Sequence, residues 1–252
     1  MSAPWTVIEG DCFAAMAELP GMSVGHVITD PPYSAGVHRK VKSVRGRVPC
    51  SVDLGFACIG EQECSALMLH FARLVRRWRV IFSCDELVQS WRAFAHSEHI
   101  RTGIWVRDST PQLTGDRPAS GHETINISHR AGKKRWNGGG RSAVYTHPIV
   151  RYGREHPTQK PVALMRDLVR DFTDPGDLIL DPFAGSGTTG VAALMAGRRV
   201  ILIESDPQHA ETARRRCADA AEHYESSLDC ETKALAMRRA RQLSMTTGAY
   251  RW

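Results

Sequence analysis

The sequence predicts an α/β fold with a doubly wound, mostly parallel sheet. Two observations support this prediction: short apolar runs alternate with helical patterns, and the chain has 252 residues. Strands that alternate with helices indicate a parallel sheet covered on both faces. A chain of this length buries roughly 70–75% of its unfolded surface, which is enough for one sizeable domain with a small insertion.

The predicted strands are short apolar runs that end near Gly, Pro or acidic residues, and the predicted helices repeat apolar residues three and four positions apart. The strands are Thr6–Glu9, Val24–Thr29, Arg79–Phe82, Gly103–Val106, Thr124–Ser128, Asp177–Leu180 and Val200–Ile203. The helices are Phe13–Leu19, Cys64–Arg77, Glu86–Phe94, Pro161–Phe172, Thr188–Ala196 and Pro207–Tyr224.

The strand Val24–Thr29 ends in the motif Asp30-Pro31-Pro32-Tyr33. Each proline fixes its own φ angle and restricts the residue before it. The Asp30 carboxylate and the Pro31 carbonyl thereby become two fixed acceptors beside the ring of Tyr33. This arrangement suits the exocyclic amino group of a planar base. The alternative is a proline-rich turn in which Asp30 is a cap and Tyr33 packs.

A second motif begins at the strand end Asp181 and continues through a glycine-rich turn to Gly190. Glycines allow a backbone to approach a ligand closely. The next strand, Val200–Ile203, ends in Glu204, which can accept hydrogen bonds from two ribose hydroxyls. The same pattern matches the dinucleotide-binding fingerprint, so a dehydrogenase is a rival interpretation. Asp181 argues against it, because a carboxylate there repels a pyrophosphate but attracts the ammonium of a methionine moiety.

Two basic segments interrupt the alternation of strands and helices. The first, 36–58, carries Arg39, Lys40, Lys42, Arg45 and Arg47. The second, within 129–155, carries Lys133, Lys134, Arg135, Trp136 and Arg141. We expect both to flank a substrate cleft and to contact DNA phosphates and bases. The alternative is a pair of solvated loops. Trp136 would stack on a base or wedge into the duplex, or would equally anchor its loop.

The chain resembles the S-adenosylmethionine-dependent DNA amino-methyltransferases of the permuted (β) group, which modify N6 of adenine or N4 of cytosine. The resemblance rests on five motifs in the family's order: Gly10-Asp11-Cys12, Asp30 to Tyr33, His156 to Pro161, Asp181 to Gly190, and Glu204. It implies a circularly permuted, seven-stranded, Rossmann-like methyltransferase sheet. It also implies that the strand near Thr124–Ser128 runs antiparallel and that target recognition belongs to 129–155.

The resemblance assigns residue roles as well. The catalytic residues would be Asp30, Pro31, Pro32 and Tyr33. S-adenosylmethionine would be bound by Asp11, Thr158, Lys160, Asp181, Phe183, Gly185, Ser186, Gly187, Thr188 and Glu204. In this assignment Asp11 binds the cofactor's adenine amine and Lys160 its methionine carboxylate. Asp11 equally suits a helix N-cap. For Lys160 the alternative is an exposed lysine at a helix start, but a cation there opposes the helix dipole, which favours the ligand role.

The expected function is methyl transfer to N6 of adenine in duplex DNA after base flipping. An N4-cytosine enzyme and a non-catalytic DNA-binding subunit remain alternatives, although Asp30 favours adenine within the family. We expect one methyltransferase domain over residues 1–228 and a C-terminal tail over 229–252 that is helical or partly disordered.

Charge and composition agree with a nucleic-acid partner. The net charge is +6 and the pI is about 9.1, which suits double-stranded DNA. The seven cysteines contain no Cys-x-x-Cys pair, so we expect free thiols and no bound metal. We find no membrane-spanning stretch and no signal peptide, so we expect a cytoplasmic, nucleoid-associated protein without a membrane partner. A homodimer stays open, and nothing in the sequence identifies a cognate restriction enzyme.

Overall fold

The computed structural model describes residues 3–32, 59–107, 118–153, 155 and 158–247, with side chains up to residue 228. The strands in these residues are β1 (Trp5–Glu9), β2 (His26–Thr29), β3 (Trp78–Ser83), β4 (His99–Val106), β5 (His122–His129), β6 (Val144–Thr146), β7 (Leu178–Asp181) and β8 (Arg199–Glu204). The α-helices are α1 (Cys12–Glu18), α2 (Glu61–Leu74), α3 (Val88–Ala95), α4 (Val162–Phe172), α5 (Thr188–Leu194) and α6 (Pro207–Thr247). A short 3₁₀ helix, His96–Glu98, precedes β4.

The strands form one sheet in the order β1-β8-β7-β2-β3-β5-β4-β6. β5 is antiparallel to both of its neighbours, whereas the other strand pairs are parallel. The predicted α/β fold with a mostly parallel sheet and the antiparallel strand are confirmed, and the circular permutation stays a prediction. The predicted count of seven strands is wrong, because Val144–Thr146 inside the expected insertion pairs with β4. This pairing gives the backbone of β4 hydrogen-bond partners along its outer edge, for example Ile104 N donating to Ala143 O at 2.8 Å.

Helices cover both faces of the sheet. One apolar cluster joins the sheet to α1, α2 and α3, and the other joins it to α4, α5 and α6. In α2 the buried residues Leu67, Phe71 and Leu74 are three or four positions apart, so they form one apolar face. Burial of these two clusters is the main source of stability, and the predicted doubly wound arrangement follows from it.

The last helix, α6, runs without interruption from Pro207 to Thr247. Its buried small residues Ala210, Ala213 and Cys217 allow it to pack closely against the sheet layer. The expected boundary at residue 228 lies within this helix, and the side chains beyond that residue lie outside the described part. A separate role for 229–252 therefore stays a prediction. Within the described ranges, no helix is both long and apolar enough to cross a bilayer.

The chain direction around the sheet creates a switch point between β2 and β7. From β2 the chain passes through α2 to β3 on one side, and from β7 it passes through α5 to β8 on the other. In open α/β sheets, ligands bind outside the carboxyl ends of the strands at such a point. The fold alone therefore directs attention to the ends of β2 and β7.

Candidate active site

The two sequence motifs meet at the carboxyl edge of the sheet. β2 and β7 are parallel neighbours, and the Thr29 hydroxyl donates to Asp181 Oδ1 at 2.6 Å. Asp30 is the next residue after Thr29. The proline motif and the glycine-rich turn therefore lie at adjacent strand ends, although Thr29 and Asp181 are 152 residues apart in the chain.

The proline motif is only partly within the described residues. The Asp30 side chain is 23% exposed, Pro31 is buried and Pro32 is half-buried. Tyr33 lies outside the described residues, so its contact with a base stays a prediction. The described part places a carboxylate at the rim of the edge, next to a buried imino acid whose carbonyl can only accept hydrogen bonds.

Lys160 reaches the Asp30 carboxylate from the segment before α4. Its ammonium lies 2.5 Å from Asp30 Oδ2 and 3.0 Å from a Glu123 carboxylate oxygen. Burial lowers the pKa of Lys160, but the carboxylates of Asp30 and Glu123 raise it more, so its pKa lies above the usual value. Lys160 is thus a buried ammonium shared by two carboxylates. Its binding to a methionine carboxylate stays a prediction. Thr158, two residues earlier, is exposed.

Asp181 is a deeply buried carboxylate at the end of β7. It is 2% exposed and accepts hydrogen bonds from the Thr29 hydroxyl at 2.6 Å and from the Phe183 backbone N–H at 3.1 Å. Burial raises the pKa of Asp181 to about 6 despite these donors. A cationic ligand beside it would favour the charged form. Binding of the methionine ammonium by Asp181 stays a prediction.

The glycine-rich turn approaches α6 so closely that a side chain does not fit. Gly187 has a φ of +81°, and a Cβ atom added there would lie 2.9 Å from both Cα and Cβ of Ala213. Gly185, with a φ of +51°, also has left-handed geometry. Phe183, just before them, is half-buried. Left-handed geometry favours glycine at both positions, and contact distance also excludes a side chain at Gly187.

Arg216 holds the same turn from the side of α6, and sequence analysis missed it. Its guanidinium donates to the Ser186 carbonyl at 2.7 Å, to the Ser186 hydroxyl at 2.8 Å and to the Thr188 hydroxyl at 3.3 Å. The signal was the small-residue spacing of Ala213 and Cys217 in α6, which marks the helix face next to the turn. Arg216 lies beside that face.

Glu204 is oriented by two backbone groups. The Gly185 N–H donates to Glu204 Oε2 at 2.7 Å and the Asp206 N–H donates to Oε1 at 2.9 Å. Each carboxylate oxygen has two lone-pair sites, so each can also accept a ribose hydroxyl. Asp11, which follows the neighbouring strand β1, accepts from the Ala14 N–H at 2.9 Å and caps α1. The N-cap alternative is confirmed for Asp11, and its contact with the cofactor's adenine stays a prediction.

Four carboxylates therefore line the edge in the strand order β1-β8-β7-β2: Asp11, Glu204, Asp181 and Asp30. Adjacent strands are about 4.8 Å apart, so this row spans roughly 14 Å. A nucleoside joined to an amino acid is an elongated molecule with a diol near one end and an ammonium at the other. The oriented Glu204 suits the diol and the buried Asp181 suits the ammonium, so these residues fit S-adenosylmethionine.

The two basic segments have different outcomes. Arg39, Lys40, Lys42, Arg45 and Arg47 lie outside the described residues, so their role stays a prediction. The expectation that Lys133, Lys134, Arg135, Trp136 and Arg141 flank the same cleft is wrong, although the parallel strand β6 returns the later part of 129–155 to the carboxyl edge, where the His147 N–H donates to the Val106 carbonyl at 3.1 Å. β5 is antiparallel, so it carries the chain from Thr124, opposite Ser83, to His129, opposite Trp78. The chain therefore enters this segment at the amino edge of the sheet, away from Asp30.

The contacts of the second segment confirm this placement. The Trp78 indole donates to the Arg135 carbonyl at 2.6 Å, and Arg135 pairs with Asp174 at 2.7 Å. Arg141 pairs with the buried Asp171 near the end of α4. That helix starts next to Lys160 and has 11 residues, so its axis separates the two regions by about 16 Å. Lys133 and Lys134 are exposed at the same amino edge.

Trp136 anchors its loop. Its ring lies 5.0 Å from that of Phe172 and its indole N–H donates to the Gly139 carbonyl at 2.8 Å. A Cβ atom added at Gly138 would lie 2.1 Å from the Trp136 ring, so the glycine is needed for this packing. These contacts match the anchoring alternative. Binding of DNA by Lys133, Lys134, Arg135, Trp136 and Arg141 stays a prediction.

Comparisons with known proteins agree with this geometry. A family model, N6_N4_Mtase, described as DNA methylase, matches residues 78–215. YubD of Escherichia coli (strain K12), whose name includes the word methylase, is 32% identical over 222 residues, covering 84% of this chain and 89% of YubD. The DNA adenine methyltransferase YhdJ of the same organism is 28% identical over 257 residues, covering 87% of this chain and 84% of YhdJ.

Solved structures show the same fold. The M1.HpyAVI–SAM complex has a TM-score of 0.65 at 24% identity, covering 84% of this chain and 98% of that one. PvuII DNA methyltransferase, described as cytosine-N4-specific, has a TM-score of 0.65 at 16% identity, covering 91% of this chain and 94% of that one. Because both identities are below 25%, these two similarities show only that the chain has the same fold.

Proposed function

Since this chain belongs to the N6_N4_Mtase family of DNA methylases, we propose that it transfers a methyl group from S-adenosylmethionine to N6 of adenine in duplex DNA. DNA methylation with this cofactor is the activity of the family, and the choice of adenine is the proposal. The observation that carries it is Asp30, a carboxylate followed by two prolines, at the switch point next to the buried Asp181.

The target amine is a poor nucleophile, and this determines what the protein must do. The N6 lone pair is delocalised into the adenine ring, and the base lies inside the duplex stack. Flipping the base out costs a few kcal/mol. Stacking on an aromatic ring returns about 1–3 kcal/mol per base. We assign that contact to Tyr33, from its place in the motif.

Asp30 and the Pro31 carbonyl are the proposed acceptors of the two N6 hydrogens. Accepting both draws the nitrogen toward tetrahedral geometry and directs its lone pair away from the ring. As N6 forms its new bond to the methyl carbon, the carbon–sulfur pair stays on sulfur and N6 becomes cationic. The Asp30 carboxylate stabilises that charge and receives the proton that N6 then loses.

The cofactor site is assigned to the rest of the acidic row. When bound, S-adenosylmethionine supplies the methyl group as an electrophilic sulfonium. Glu204 would bind the ribose diol, Asp181 would bind the methionine ammonium, and the turn at Gly185, Ser186 and Gly187 would line the methionine end. Holding donor and acceptor in line is worth about 7–11 kcal/mol in barrier reduction, so positioning supplies much of the rate.

The test is the variant Asp30→Ala assayed with radiolabelled S-adenosylmethionine and duplex DNA. We expect methyl transfer to be lost while cofactor affinity, measured by calorimetry, changes little. Asp219→Ala is the control, because Asp219 is an exposed carboxylate on α6 with a 70% exposed side chain. A full transfer rate in Asp30→Ala contradicts the assigned role.

The methylated base is identified separately. Nucleoside analysis of DNA modified by the wild-type protein should give N6-methyladenine. N4-methylcytosine as the sole product would replace the proposed substrate but keep the mechanism, because both amines need the same two acceptors. Wild-type protein that binds DNA and transfers no methyl group would indicate the non-catalytic alternative.

A further inference from the structure

A line of alternating charges connects Asp30 with the outer part of the sheet. Arg107, just after β4, lies 3.7 Å from Glu123 on β5. Glu123 lies 3.0 Å from Lys160, and Lys160 lies 2.5 Å from Asp30. Four separate chain segments contribute one charge each. Glu123 belongs to none of the five sequence motifs and to none of the proposed cofactor contacts.

The inner members of this line are buried against aromatic rings. The side chains of Lys160 and Glu123 are 8% and 14% exposed. The Lys160 ammonium lies 5.0 Å from the ring centre of Phe82 and 5.7 Å from that of Trp105. Burying charges is costly, and apolar replacements of buried ion pairs are often neutral or stabilising. Stability alone therefore does not explain why polar groups occupy this position.

We propose that Lys160 and Glu123 are positioning residues for methyl transfer, with Lys160 fixing the Asp30 carboxylate and Glu123 keeping the cluster negatively charged. The proposal rests on the function proposed above and deepens it. It also gives Lys160 a task different from the one the sequence motif suggested, which was to bind the methionine carboxylate. In either task the Lys160 ammonium binds a carboxylate. Fixing Asp30 affects the rate of methyl transfer, whereas binding the methionine carboxylate affects the affinity for the cofactor.

The electrostatic reason is the charge that develops on N6. Asp30 and Lys160 alone would cancel, and a neutral pair stabilises an adjacent cation weakly. With Glu123 the three groups carry a net charge of −1, so the cluster attracts the cationic nitrogen while Lys160 holds Asp30 in place. Arg107 lies on the far side of Glu123 with a 28% exposed side chain, so solvent screens part of its charge.

The geometric reason is that Asp30 ends a strand at the rim of the sheet. A short hydrogen bond between its Oδ2 atom and a buried ammonium restricts rotation of the carboxylate. A carboxylate has about four lone-pair sites, so this bond is compatible with an N6 hydrogen on the same group. Among the described residues, Asp181 on β7 also faces Asp30; burial raises the pKa of Asp181, and the charge of Asp30 raises it further.

The experiment measures single-turnover methyl transfer and cofactor affinity for three variants. Lys160→Met removes the ammonium but keeps most of the side-chain volume. Glu123→Gln removes one charge and keeps the shape, so it remains informative if Lys160→Met fails to fold. Arg199→Met is the control, because Arg199 is an exposed cation at the start of β8 on the opposite edge of the sheet. The substrate is genomic DNA without methylated amines, assayed from pH 5 to 9.

We expect Lys160→Met to lower the saturated single-turnover rate roughly 100-fold, since a small misplacement of a catalytic group costs that much. We expect the acid limb of its pH–rate profile to move to higher pH, because a neighbouring cation favours an ionised carboxylate and its loss disfavours it. Glu123→Gln should lower the saturated rate by a smaller factor. The dissociation constant for S-adenosylmethionine should stay within threefold of the wild type in both variants.

Three outcomes overturn the inference. A higher dissociation constant for S-adenosylmethionine with an unchanged saturated rate assigns Lys160 to the cofactor. A rate lowered equally at every pH, with an unmoved acid limb, indicates a merely structural role. A wild-type rate in both variants excludes any role. Failure of the proposed function is distinguishable, because in that case the wild-type protein itself methylates no adenine.

Discussion

The contact between Gly187 and α6 gives a prediction whose magnitude follows from the structure. In Gly187→Ala, the left-handed φ of +81° costs an alanine roughly 1–2 kcal/mol. The new methyl group would lie 2.9 Å from both Cα and Cβ of Ala213, and overpacking of this kind costs roughly 1–3 kcal/mol. Because these costs add, we expect the free energy of unfolding to fall by about 2–5 kcal/mol.

The matched control is Gly176→Ala. Gly176 has a similar φ of +85°, but an added Cβ atom meets no described atom within 4 Å. In Gly176→Ala the free energy of unfolding should therefore fall only by the conformational cost, roughly 1–2 kcal/mol. Urea unfolding measures the free energy of unfolding of both variants, and the dependence of that free energy on urea concentration should not change. Only Gly187→Ala should also weaken S-adenosylmethionine binding in calorimetry, because the shifted turn carries the proposed methionine contacts.

Equal destabilisation of the two variants would refute the reasoning. It would mean that α6 yields to the added methyl group, so that close packing does not fix the turn. Normal cofactor binding by Gly187→Ala, with the expected loss of stability, would instead separate the turn from the cofactor site.

Three further predictions concern Asp181, Arg216 and Trp136. Burial raises the pKa of Asp181 from 3.8 to about 6 in the folded state, so the folded state binds a proton that the unfolded state has released. Its contribution to stability is present below pH 3.8 and is lost as the pH rises through about 6. Asp181→Asn should therefore raise the free energy of unfolding at pH 8 by on the order of 3 kcal/mol and weaken cofactor binding, as measured by urea unfolding and calorimetry. Arg216→Leu should weaken S-adenosylmethionine binding by about 10-fold, because three hydrogen bonds that orient the turn are lost. Trp136→Ala should lower the free energy of unfolding by about 2 kcal/mol in urea, because its half-buried ring packs on Phe172.

Most of the fold was predictable because its signals are local. A buried parallel strand needs a continuous apolar run, and the run Val24–Thr29 was recognisable without knowing its neighbours. The motifs that follow β2 and β7 were equally visible, because prolines and glycines impose backbone geometry whatever surrounds them. Because parallel strands all end at the same edge of a sheet, the two motifs were expected to meet there.

The second basic segment shows where local signals stop. Its position in the chain, between the catalytic motif and the glycine-rich turn, suggested a place beside the cleft. Yet the expected antiparallel direction of β5 already implied the opposite: a reversed strand delivers the chain to the amino edge. The strand Val144–Thr146 has three residues, too few for a recognisable period, and it forms because β4 offers an open edge.

The contacts that complete the site were beyond reach for a different reason. Lys160 and Asp30 are 130 residues apart in the chain, and Arg216 and Ser186 are 30 apart. Neither pairing leaves a periodic or spacing signal, because each depends on how helices settle on the sheet. Sequence patterns identify which residues stand at strand ends, but the partners that orient those residues come from tertiary packing.

The charge distribution of the chain suits two ligands of opposite charge, a polyanion and a cationic cofactor. The whole protein carries a net charge of +6, which attracts a polyanion, yet the carboxyl edge of its sheet presents Asp11, Glu204, Asp181 and Asp30 in a row. An acidic edge repels phosphates and attracts the cationic cofactor. We therefore expect only an uncharged base of the DNA to reach this edge, with the phosphates held away from the four carboxylates. A flipped base would meet that requirement, because its phosphates would stay outside while its amine reached Asp30.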